Sequence, residues 1–159
     1  MKISVITAVY NRQATIAQAI KSVRTQSYCP FEHILQDGAS NDGTLKIITK
    51  FLGPDTHLHS ASDDGIYDAI NRGITRATGD VIGMMHSDDY FAHDEVLARV
   101  ADAFADPNID GVYGDLDYVA AADTDRVIRN WKSGEMTRDK LRRGWMPPHP
   151  TLYLRRSVF

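Results

Sequence analysis

The sequence predicts an α/β fold with a mostly parallel sheet and helices on both of its faces. Short apolar segments, typical of buried strands, alternate for three rounds with segments whose apolar residues recur at helical spacing. Loops rich in Gly, Asp and Asn follow several of the predicted strands. Later segments alternate polar and apolar residues, as antiparallel strands do. We therefore expect a single domain over residues 1–159, with a mixed edge to its sheet.

The first strand and helix are predicted from residue type and spacing. Residues 3–10 are mostly β-branched or aromatic, as in a strand that is buried on both faces. Asn11 closes this strand and is expected to cap the helix that follows. The buried face of that helix is expected to hold Ile16, Ala19, Ile20 and Val23. Pro30 prevents the helix from continuing, and a second strand is expected at residues 31–36.

Two further rounds of strand and helix follow. A loop rich in Gly, Asp and Asn at residues 37–44 leads into a second helix. The apolar face of this helix is predicted to be Leu45, Ile48, Phe51 and Leu52. A third strand is expected at residues 56–60. The buried stripe of the third helix is predicted to be Ile66, Ile70 and Ile74.

A short apolar segment at residues 81–85 predicts the central strand, which ends in the polar run Ser87, Asp88 and Asp89. Open α/β sheets bind ligands just beyond the carboxyl ends of their strands. Two adjacent carboxylates repel each other unless they share a cation, and Mg²⁺ or Mn²⁺ suits that role. The alternative is an ordinary helix start, with Ser87 or Asp88 as its N-cap.

The rest of the chain is predicted to form shorter elements at the mixed edge of the sheet. In order, these are a helix at 94–105, a strand or hairpin at 110–119, an antiparallel strand at 126–132, a basic helix at 137–143, a rigid extended loop at 146–150 and a last strand at 151–154.

Three polar residues outside the acid pair are further candidates for a ligand site. Asp37 lies at a strand tip without an obvious local duty, so its carboxylate is a candidate acceptor for a base or a ribose. Arg72 is a candidate bidentate clamp for a diphosphate, and the alternative is a surface pair with Asp68. His149 is a candidate metal ligand or phosphate donor, although a lone histidine is more often structural.

Charge is divided unevenly along the chain. Residues 1–125 hold 9 Lys and Arg against 19 Asp and Glu, a balance of −10, and residues 126–159 hold 9 against 2, a balance of +7, which together give −3. The basic part suggests an anionic partner, such as a phosphorylated acceptor or a lipid surface, or else a solvated basic face. Nucleic acid is disfavoured as a partner because the whole chain is acidic.

Composition and missing motifs exclude several classes of protein. No apolar run approaches the roughly 20 residues that span a bilayer, and the N-terminus lacks the pattern of a signal peptide. The single cysteine, Cys29, excludes an internal disulfide framework, so a reducing cytoplasm is expected. The sequence contains neither a Gly-x-Gly-x-x-Gly fingerprint nor a P-loop, which argues against a dinucleotide oxidoreductase and a P-loop NTPase.

The sequence resembles family 2 glycosyltransferases of the GT-A fold over nearly its whole length. The motifs that carry the resemblance are SVITAVYN at 4–11, QDGASNDGT at 36–44 and GDVIGMMHSDD at 79–89. Two further segments, DGIYDAINRG at 64–73 and PHPTLYLRR at 148–156, are similar to the bacterial polysaccharide branch of the colanic-acid type.

The resemblance implies a role for each matching residue. Thr7, Tyr10 and Asn11 are expected at the nucleotide pocket, and Asp37 is expected to hydrogen-bond the base, most often uracil. Asp64 and Arg72 match positions that contact the sugar donor and its phosphates. Ser87 and Asp88 are expected beside the donor, and Asp88 and Asp89 match the Asp-x-Asp motif that holds Mg²⁺ or Mn²⁺. His149 is a further candidate for the metal.

The chain departs from the family pattern in two ways. The motif usually begins with Asp, where this sequence has His86. Inverting members carry a carboxylate general base after the segment that matches 148–156, and this sequence has no acid beyond Asp139. We therefore expect the base to be absent from these residues, with Asp115 and Asp117 as acids that fit no recognised base motif.

The resemblance implies an inverting, metal-dependent transferase that moves a sugar from a nucleotide-diphosphate donor, a UDP-sugar by preference. The acceptor is expected to be a saccharide or a lipid-linked saccharide in cell-surface polysaccharide assembly. The alternatives are a nucleotide-sugar binding module without efficient transfer and, less favoured, a nucleotidyltransferase. A cytoplasmic location is expected, with peripheral membrane contact through the basic part and homodimer formation left open.

Overall fold

The computed structural model describes residues 1–159 as a six-stranded sheet with helices on both faces, together with a separate hairpin. The α-helices are α1 (Ile16–Arg24), α2 (Thr44–Ile48), α3 (Ile66–Arg76), α4 (Val96–Ala103) and α5 (Arg138–Arg142). The strands are β1 (Ile3–Val9), β2 (Phe31–Asp37), β3 (Thr56–Ser60), β4 (Val81–Met84), β5 (Gly111–Val112), β6 (Leu116–Ala120), β7 (Asp123–Trp131) and β8 (Tyr153–Arg155). None of the helices is both long enough and apolar enough to cross a membrane.

The sheet has the order β3-β2-β1-β4-β8-β5, and its first four strands are parallel. Strand β8 runs antiparallel to both of its neighbours, β4 and β5, so the predicted mixed edge is confirmed. Strands β6 and β7 pair antiparallel, as the alternating pattern predicted, but they form a separate two-stranded hairpin rather than part of the mixed edge.

Apolar side chains fill both faces of the sheet. On one face, α1 contributes the predicted set Ile16, Ala19, Ile20 and Val23, all of which are buried. Leu97 of α4 and Phe104, directly after this helix, pack into a cluster with strand residues that include Tyr153. The other face buries Ile6, Ile34 and Ile82 beside Ala77, at the end of α3. Burial on both faces explains why the parallel strands have continuous apolar sequences.

The first helix begins later than predicted, at Ile16 rather than directly after Asn11. Asn11 has a positive φ of 51°, a left-handed conformation that Asn tolerates better than most residues. This conformation turns the chain away from a helix, so the predicted cap at Asn11 is wrong. Residues 12–15 form a turn instead, and Thr15 precedes the helix without a side-chain cap.

The third helix buries a different stripe from the predicted one. Ala69 and Gly73 are its buried residues, whereas Ile66 is 49% exposed and Ile74 is half-buried. A Cβ on Gly73 would lie 2.5 Å from Cγ2 of Ile6, so the missing side chain lets α3 approach β1 closely. The sequence predicted the isoleucines as the buried stripe from their spacing. Spacing within one helix carries no information about how closely that helix approaches the sheet.

Two other predicted segments differ in detail. Helix α2 has only five residues and continues as a 3₁₀ turn, Thr49–Phe51, so Leu52 is 45% exposed rather than part of the apolar face. The proline segment is not extended throughout, because His149–Thr151 forms a second 3₁₀ turn before β8.

Two buried polar clusters lie inside the sheet. The His33 ring is fully buried, and its Nε2 lies 2.9 Å from the Thr7 hydroxyl. This burial lowers the pKa of His33 to about 3. Burial alone would raise the pKa of Glu32, but hydrogen bonds from Lys2, Ser4 and Thr78 lower it to about 2. The Glu32 carboxylate thus joins β1, β2 and the start of β4.

Lowering the pH from about 7 to about 5 is expected to destabilise the fold, because protons bind His33 only in the unfolded chain. Its pKa falls from an ordinary 6.5 to about 3 on folding, so the unfolded state holds more protons across this interval. The loss at pH 5 is roughly 2 kcal/mol. Urea unfolding at a series of pH values measures it, and Glu32 contributes only at lower pH, below its ordinary pKa of 4.5.

The matched variants are His33→Gln and His57→Gln, since His57 lies at an exposed position of β3. The first should flatten the dependence of unfolding free energy on pH between about 6.5 and 5, and the second should preserve it. An unchanged slope in the His33→Gln protein would contradict the assignment to His33.

Gly83→Ala is expected to destabilise the fold by about 1–3 kcal/mol, the usual cost of overpacking. Gly83 pairs with Tyr153 across β4 and β8, and an added Cβ would overlap the Tyr153 ring. Gly114→Ala is the control, because nothing lies within 4 Å of the Cβ it would add. Thermal unfolding compares the two, and equal melting temperatures would contradict the tight packing at Gly83.

Candidate functional site

The carboxyl ends of the four parallel strands meet at one edge of the sheet. Val9 pairs with Asp37, and Asp37 pairs with Ser60, so β1, β2 and β3 end level with one another. On the other side of β1, Ile6 pairs with Met84, which places the end of β4 at the same edge. Four loops therefore share this edge, as expected for a ligand site in an open α/β sheet.

The loops after β1 and β2 are joined by reciprocal hydrogen bonds. The Asn11 N–H donates to Ser40 Oγ at 2.9 Å, and the Asn41 N–H donates to Asn11 Oδ1 at 3.0 Å. Next to them, the Gly43 N–H donates to Gln13 Oε1 at 2.7 Å, and the Gln13 N–H donates to Asp42 at 3.2 Å. These bonds hold the two loops together and leave the Tyr10 side chain 56% exposed beside them.

Asp37 lies at the centre of this edge, with its side chain fully buried. Its carboxylate accepts hydrogen bonds from the Ser40 N–H at 3.0 Å, the Ser40 hydroxyl at 2.5 Å and the Ser60 hydroxyl at 2.7 Å. The prediction that Asp37 has no local structural duty is therefore wrong, because the carboxylate braces the ends of β2 and β3. The sequence did not reveal Ser60 as a partner, since that contact depends on strand register.

Thr7 is also buried more deeply than a residue lining a pocket. Its side chain is fully buried, and its hydroxyl is hydrogen-bonded to the buried ring of His33. The structure therefore places Thr7 one layer below the edge, where its contact is with the protein interior rather than with an open surface.

In the loop after β3, Asp63 rather than Asp64 lies against the neighbouring loop. A Cβ built on Gly38 would lie 2.8 Å from Asp63 Oδ2, so the absence of a side chain at Gly38 makes room for this carboxylate. Asp63 is half-buried and accepts a hydrogen bond from the Gly65 N–H, whereas Asp64 is exposed. The sequence does not distinguish the two acids, because both occur in the same turn-rich run and only packing separates them.

The Arg72 guanidinium is held by groups of the protein itself. Nη2 lies 2.7 Å from the Asp68 carboxylate, and Nη1 donates to the Ser62 carbonyl at 2.8 Å. The surface pair that was the alternative for Arg72 is therefore present. It fastens α3 to the loop after β3, near the edge described above.

The acid pair lies in a turn directly after β4. Ser87 is buried, Asp89 is half-buried and Asp88 is exposed. The alternative of a simple helix start is wrong, because α4 begins only at Val96. Burial raises the pKa of Asp89, the charge of His86 lowers it, and the charge of Asp88 raises it again.

The acid pair has the donor chemistry of a divalent cation site. Asp88 and Asp89 form no salt bridge with any Lys, Arg or His, and their carboxylate oxygens are hard ligands. No group of three or more His, Cys, Asp or Glu side chains is arranged to hold a metal. Two carboxylates suit a cation that completes its coordination with water and substrate phosphates, as Mg²⁺ commonly does.

His149 lies at the same edge of the sheet but does not form a cluster with the acid pair. Strand β8 runs antiparallel to β4 with Tyr153 opposite Gly83, so the chain before Tyr153 follows β4 toward its carboxyl end. His149 is exposed in the 3₁₀ turn of this segment. Strand topology therefore places His149 on the side of the sheet where β4 ends.

The two acids considered as general bases are both engaged elsewhere. Asp115 accepts hydrogen bonds from the Ser133 N–H and hydroxyl and pairs with Lys132 at 3.0 Å, and these contacts lower its pKa to about 2. Asp117 is hydrogen-bonded to the Asn130 amide across the β6–β7 hairpin. A carboxylate with so low a pKa is a weak proton acceptor, so Asp115 does not have the surroundings of a general base.

Residues 4–158 match the family described as Glycosyl transferase family 2. A PGL/p-HBAD biosynthesis glycosyltransferase of Mycobacterium bovis is 39% identical over 119 residues, which cover 71% of this chain and 46% of that relative. An uncharacterised glycosyltransferase of Mycobacterium tuberculosis is 36% identical over 104 residues, covering 65% and 40%. The chain thus spans less than half the length of these curated relatives.

Solved structures of the GT-A fold resemble the chain over nearly all of its length. The mannosyltransferase PcManGT from Pyrobaculum calidifontis, in complex with GDP-Man and Mn²⁺, has a TM-score of 0.74 at 20% identity and covers 99% of this chain and 45% of its own. S. aureus TarS 1–349, in complex with UDP-GlcNAc, has the same TM-score and identity, covering 99% and 46%. The predicted GT-A architecture is confirmed.

Asp37→Ala is expected to lower the free energy of unfolding by roughly 3 kcal/mol or more, since three donors lose a charged acceptor in a buried place. Ser60→Ala removes only one of these bonds and should cost about 1 kcal/mol. Urea unfolding measures both variants. Equal stability of the Asp37→Ala and original proteins would contradict the bracing role.

Proposed function

The chain belongs to glycosyl transferase family 2, and we propose that it binds a nucleotide-diphosphate sugar, by preference a UDP-sugar, at the edge formed by β1 to β4. The sugar is transferred, with inversion of its anomeric configuration, to a saccharide or lipid-linked saccharide acceptor. This transfer belongs to cell-surface polysaccharide assembly of the colanic-acid type. The observation that carries this proposal is that two carboxylates without a cationic partner follow the fourth strand, at the edge where hydrogen bonds join the neighbouring loops.

In this proposal the nucleoside lies against the loop after β1. The exposed Tyr10 ring offers a flat apolar surface to a base, and Asn11 is held beside it by its bonds to the Ser40 loop. Asp37 and Thr7 are both fully buried, so we assign them to the support of this pocket rather than to direct contact. Asp63 takes the position at the donor that the sequence suggested for Asp64.

Asp88 and Asp89 would hold Mg²⁺ or Mn²⁺ against the diphosphate, with Ser87 buried behind them and His149 as a further candidate ligand. When bound, the ion would neutralise the negative charge that develops on the departing diphosphate. Arg72 is close to this edge, and contact with a phosphate would require it to exchange its bond to Asp68 or Ser62. PcManGT, whose structure holds GDP-Man and Mn²⁺, supports this arrangement by analogy of fold.

A second function, a nucleotide-sugar binding module that does not catalyse transfer by itself, is favoured by one observation. Asp115 and Asp117, the acids considered as bases, are engaged with Ser133, Lys132 and Asn130. In either function we propose a cytoplasmic protein that contacts the inner face of the cell membrane through its basic part. Neither of the two proposed functions includes the formation of a homodimer.

The test of the donor site is calorimetric titration with UDP, GDP and ADP, each with and without Mn²⁺. We expect Mn²⁺-dependent binding of UDP and weaker binding of the other two. Asp89→Asn should weaken UDP binding in the presence of Mn²⁺ by about tenfold or more, since hydrogen bonds and contacts with ionised groups typically contribute 1.5–3 kcal/mol.

Asp102→Asn is the matched control, because Asp102 is exposed on α4 and forms no salt bridge. It should bind UDP like the original protein. Equal UDP affinity of the Asp89→Asn protein at fixed Mn²⁺ would remove the metal role. Release of free sugar or its transfer to an added acceptor supports the enzyme, and tight binding without turnover of a UDP-sugar supports the binding module.

A further inference from the structure

We propose that the β6–β7 hairpin and the segment 132–146, here called the basic arm, form a docking surface for an anionic lipid bilayer. This inference deepens the membrane contact of the proposed function by naming the surface and the chemistry of its partner. It rests on residues outside the donor edge, so it can be tested separately from donor binding.

The first observation is that exposed apolar side chains are concentrated in the arm. Of the 13 large hydrophobic residues that are exposed, six lie in it. They are Tyr118 at 45%, Val127 at 51%, Ile128 at 65%, Met136 at 53%, Leu141 at 45% and Met146 at 56% exposed. Such a concentration of exposed apolar surface commonly marks an interaction site in a monomeric protein.

Cations are interleaved with these apolar side chains. Arg126 adjoins Val127 in β7, and Arg138 and Arg143 flank Leu141 in and beside α5. All three arginines are exposed, and none forms a salt bridge. Their charge is therefore available to an external anion.

The hairpin also presents an aromatic face of the kind that suits a membrane interface. The Arg129 guanidinium lies 5.6 Å from the centre of the Tyr118 ring and 5.5 Å from that of Trp131. These three side chains combine apolar stems or rings with polar ends, which is the chemistry of the headgroup region. The stack keeps the cation and the rings together on one face of the hairpin.

Several contacts connect the arm to the rest of the molecule, among them those of Lys132 and Ser133 with Asp115. The Tyr113 hydroxyl donates to the Gly134 carbonyl at 2.9 Å, and its ring packs edge-on against Trp145 at 5.6 Å. At the hairpin turn, the Tyr90 hydroxyl lies 3.5 Å from the Thr124 carbonyl. Tyr90 directly follows the acid pair, so a membrane contact through the arm would hold the donor edge near the lipid surface.

The distribution of charge favours a lipid surface over other anionic partners. The arm, residues 116–146, carries 7 Lys and Arg against 5 acids, a balance of +2, whereas the rest of the chain carries 11 against 16, a balance of −5. An anionic bilayer would attract the arm and repel the remainder, which orients the molecule. A small phosphorylated molecule or a nucleic acid would leave Val127, Ile128 and Leu141 in water, whereas a bilayer takes up both the cations and the apolar groups.

The test is co-sedimentation of the 159-residue protein with vesicles of phosphatidylcholine alone or mixed with phosphatidylglycerol, at low and high salt. Binding is expected only with phosphatidylglycerol and should weaken as salt is added. The combined substitution Arg126→Gln, Arg138→Gln and Arg143→Gln should weaken binding on the order of 100-fold, from about fivefold for each cation. Ile128→Ser should weaken it independently.

The control is Lys21→Gln, Lys46→Gln and Lys50→Gln, which removes three exposed cations from or beside α1 and α2 and should leave vesicle binding nearly unchanged. Calorimetry with UDP and Mn²⁺ is run on every variant, so loss of vesicle binding with intact UDP binding separates the two proposals. No binding to phosphatidylglycerol vesicles at low salt would overturn the proposal, as would equal losses in the arm and control variants. Self-association that the arm variants abolish, without vesicle binding, would identify a second copy as the occupant and also overturn it.

Discussion

The buried carboxylate of Asp37 is the interaction on which the arrangement of the site depends. It accepts hydrogen bonds from Ser40 and Ser60 at the ends of two strands, and Ser40 in turn accepts the N–H of Asn11 from a third. A carboxylate with no exposed surface is tolerated only when its oxygens have hydrogen-bond partners, and these contacts supply them. The consequence is that three of the four loops at the sheet edge have a defined position before any ligand binds.

The acid pair that follows the fourth strand lacks bonding partners of the kind that surround Asp37. Asp88 and Asp89 adjoin each other without a salt bridge to any cation, and burial raises the pKa of Asp89. Some other acids have cationic partners, as Glu32 has Lys2 and Asp115 has Lys132. The carboxylates of Glu32, Asp37 and Asp115 thus have bonding partners within the fold, whereas those of the acid pair form no salt bridge.

Close packing of small residues sets how the elements meet. Gly73 allows α3 to approach β1, and Gly83 accommodates the Tyr153 ring where the antiparallel strand β8 joins the parallel part of the sheet. This junction brings the chain before Tyr153, including His149, to the edge that carries the acid pair. The basic arm has no comparable packing, and its apolar and cationic side chains remain exposed.

The sequence by itself determined the alternation of strands and helices, the mixed edge, the hairpin and the acid pair beyond β4. These features depend on residue type and on periodicity along one segment, which local side-chain chemistry controls. Tertiary structure alone decided that Asp37 is a brace, that Asp63 rather than Asp64 packs against Gly38, and that Ala69 and Gly73 face the sheet. Each of these depends on strand register or on the distance between two packed elements, and a single segment of sequence contains neither quantity.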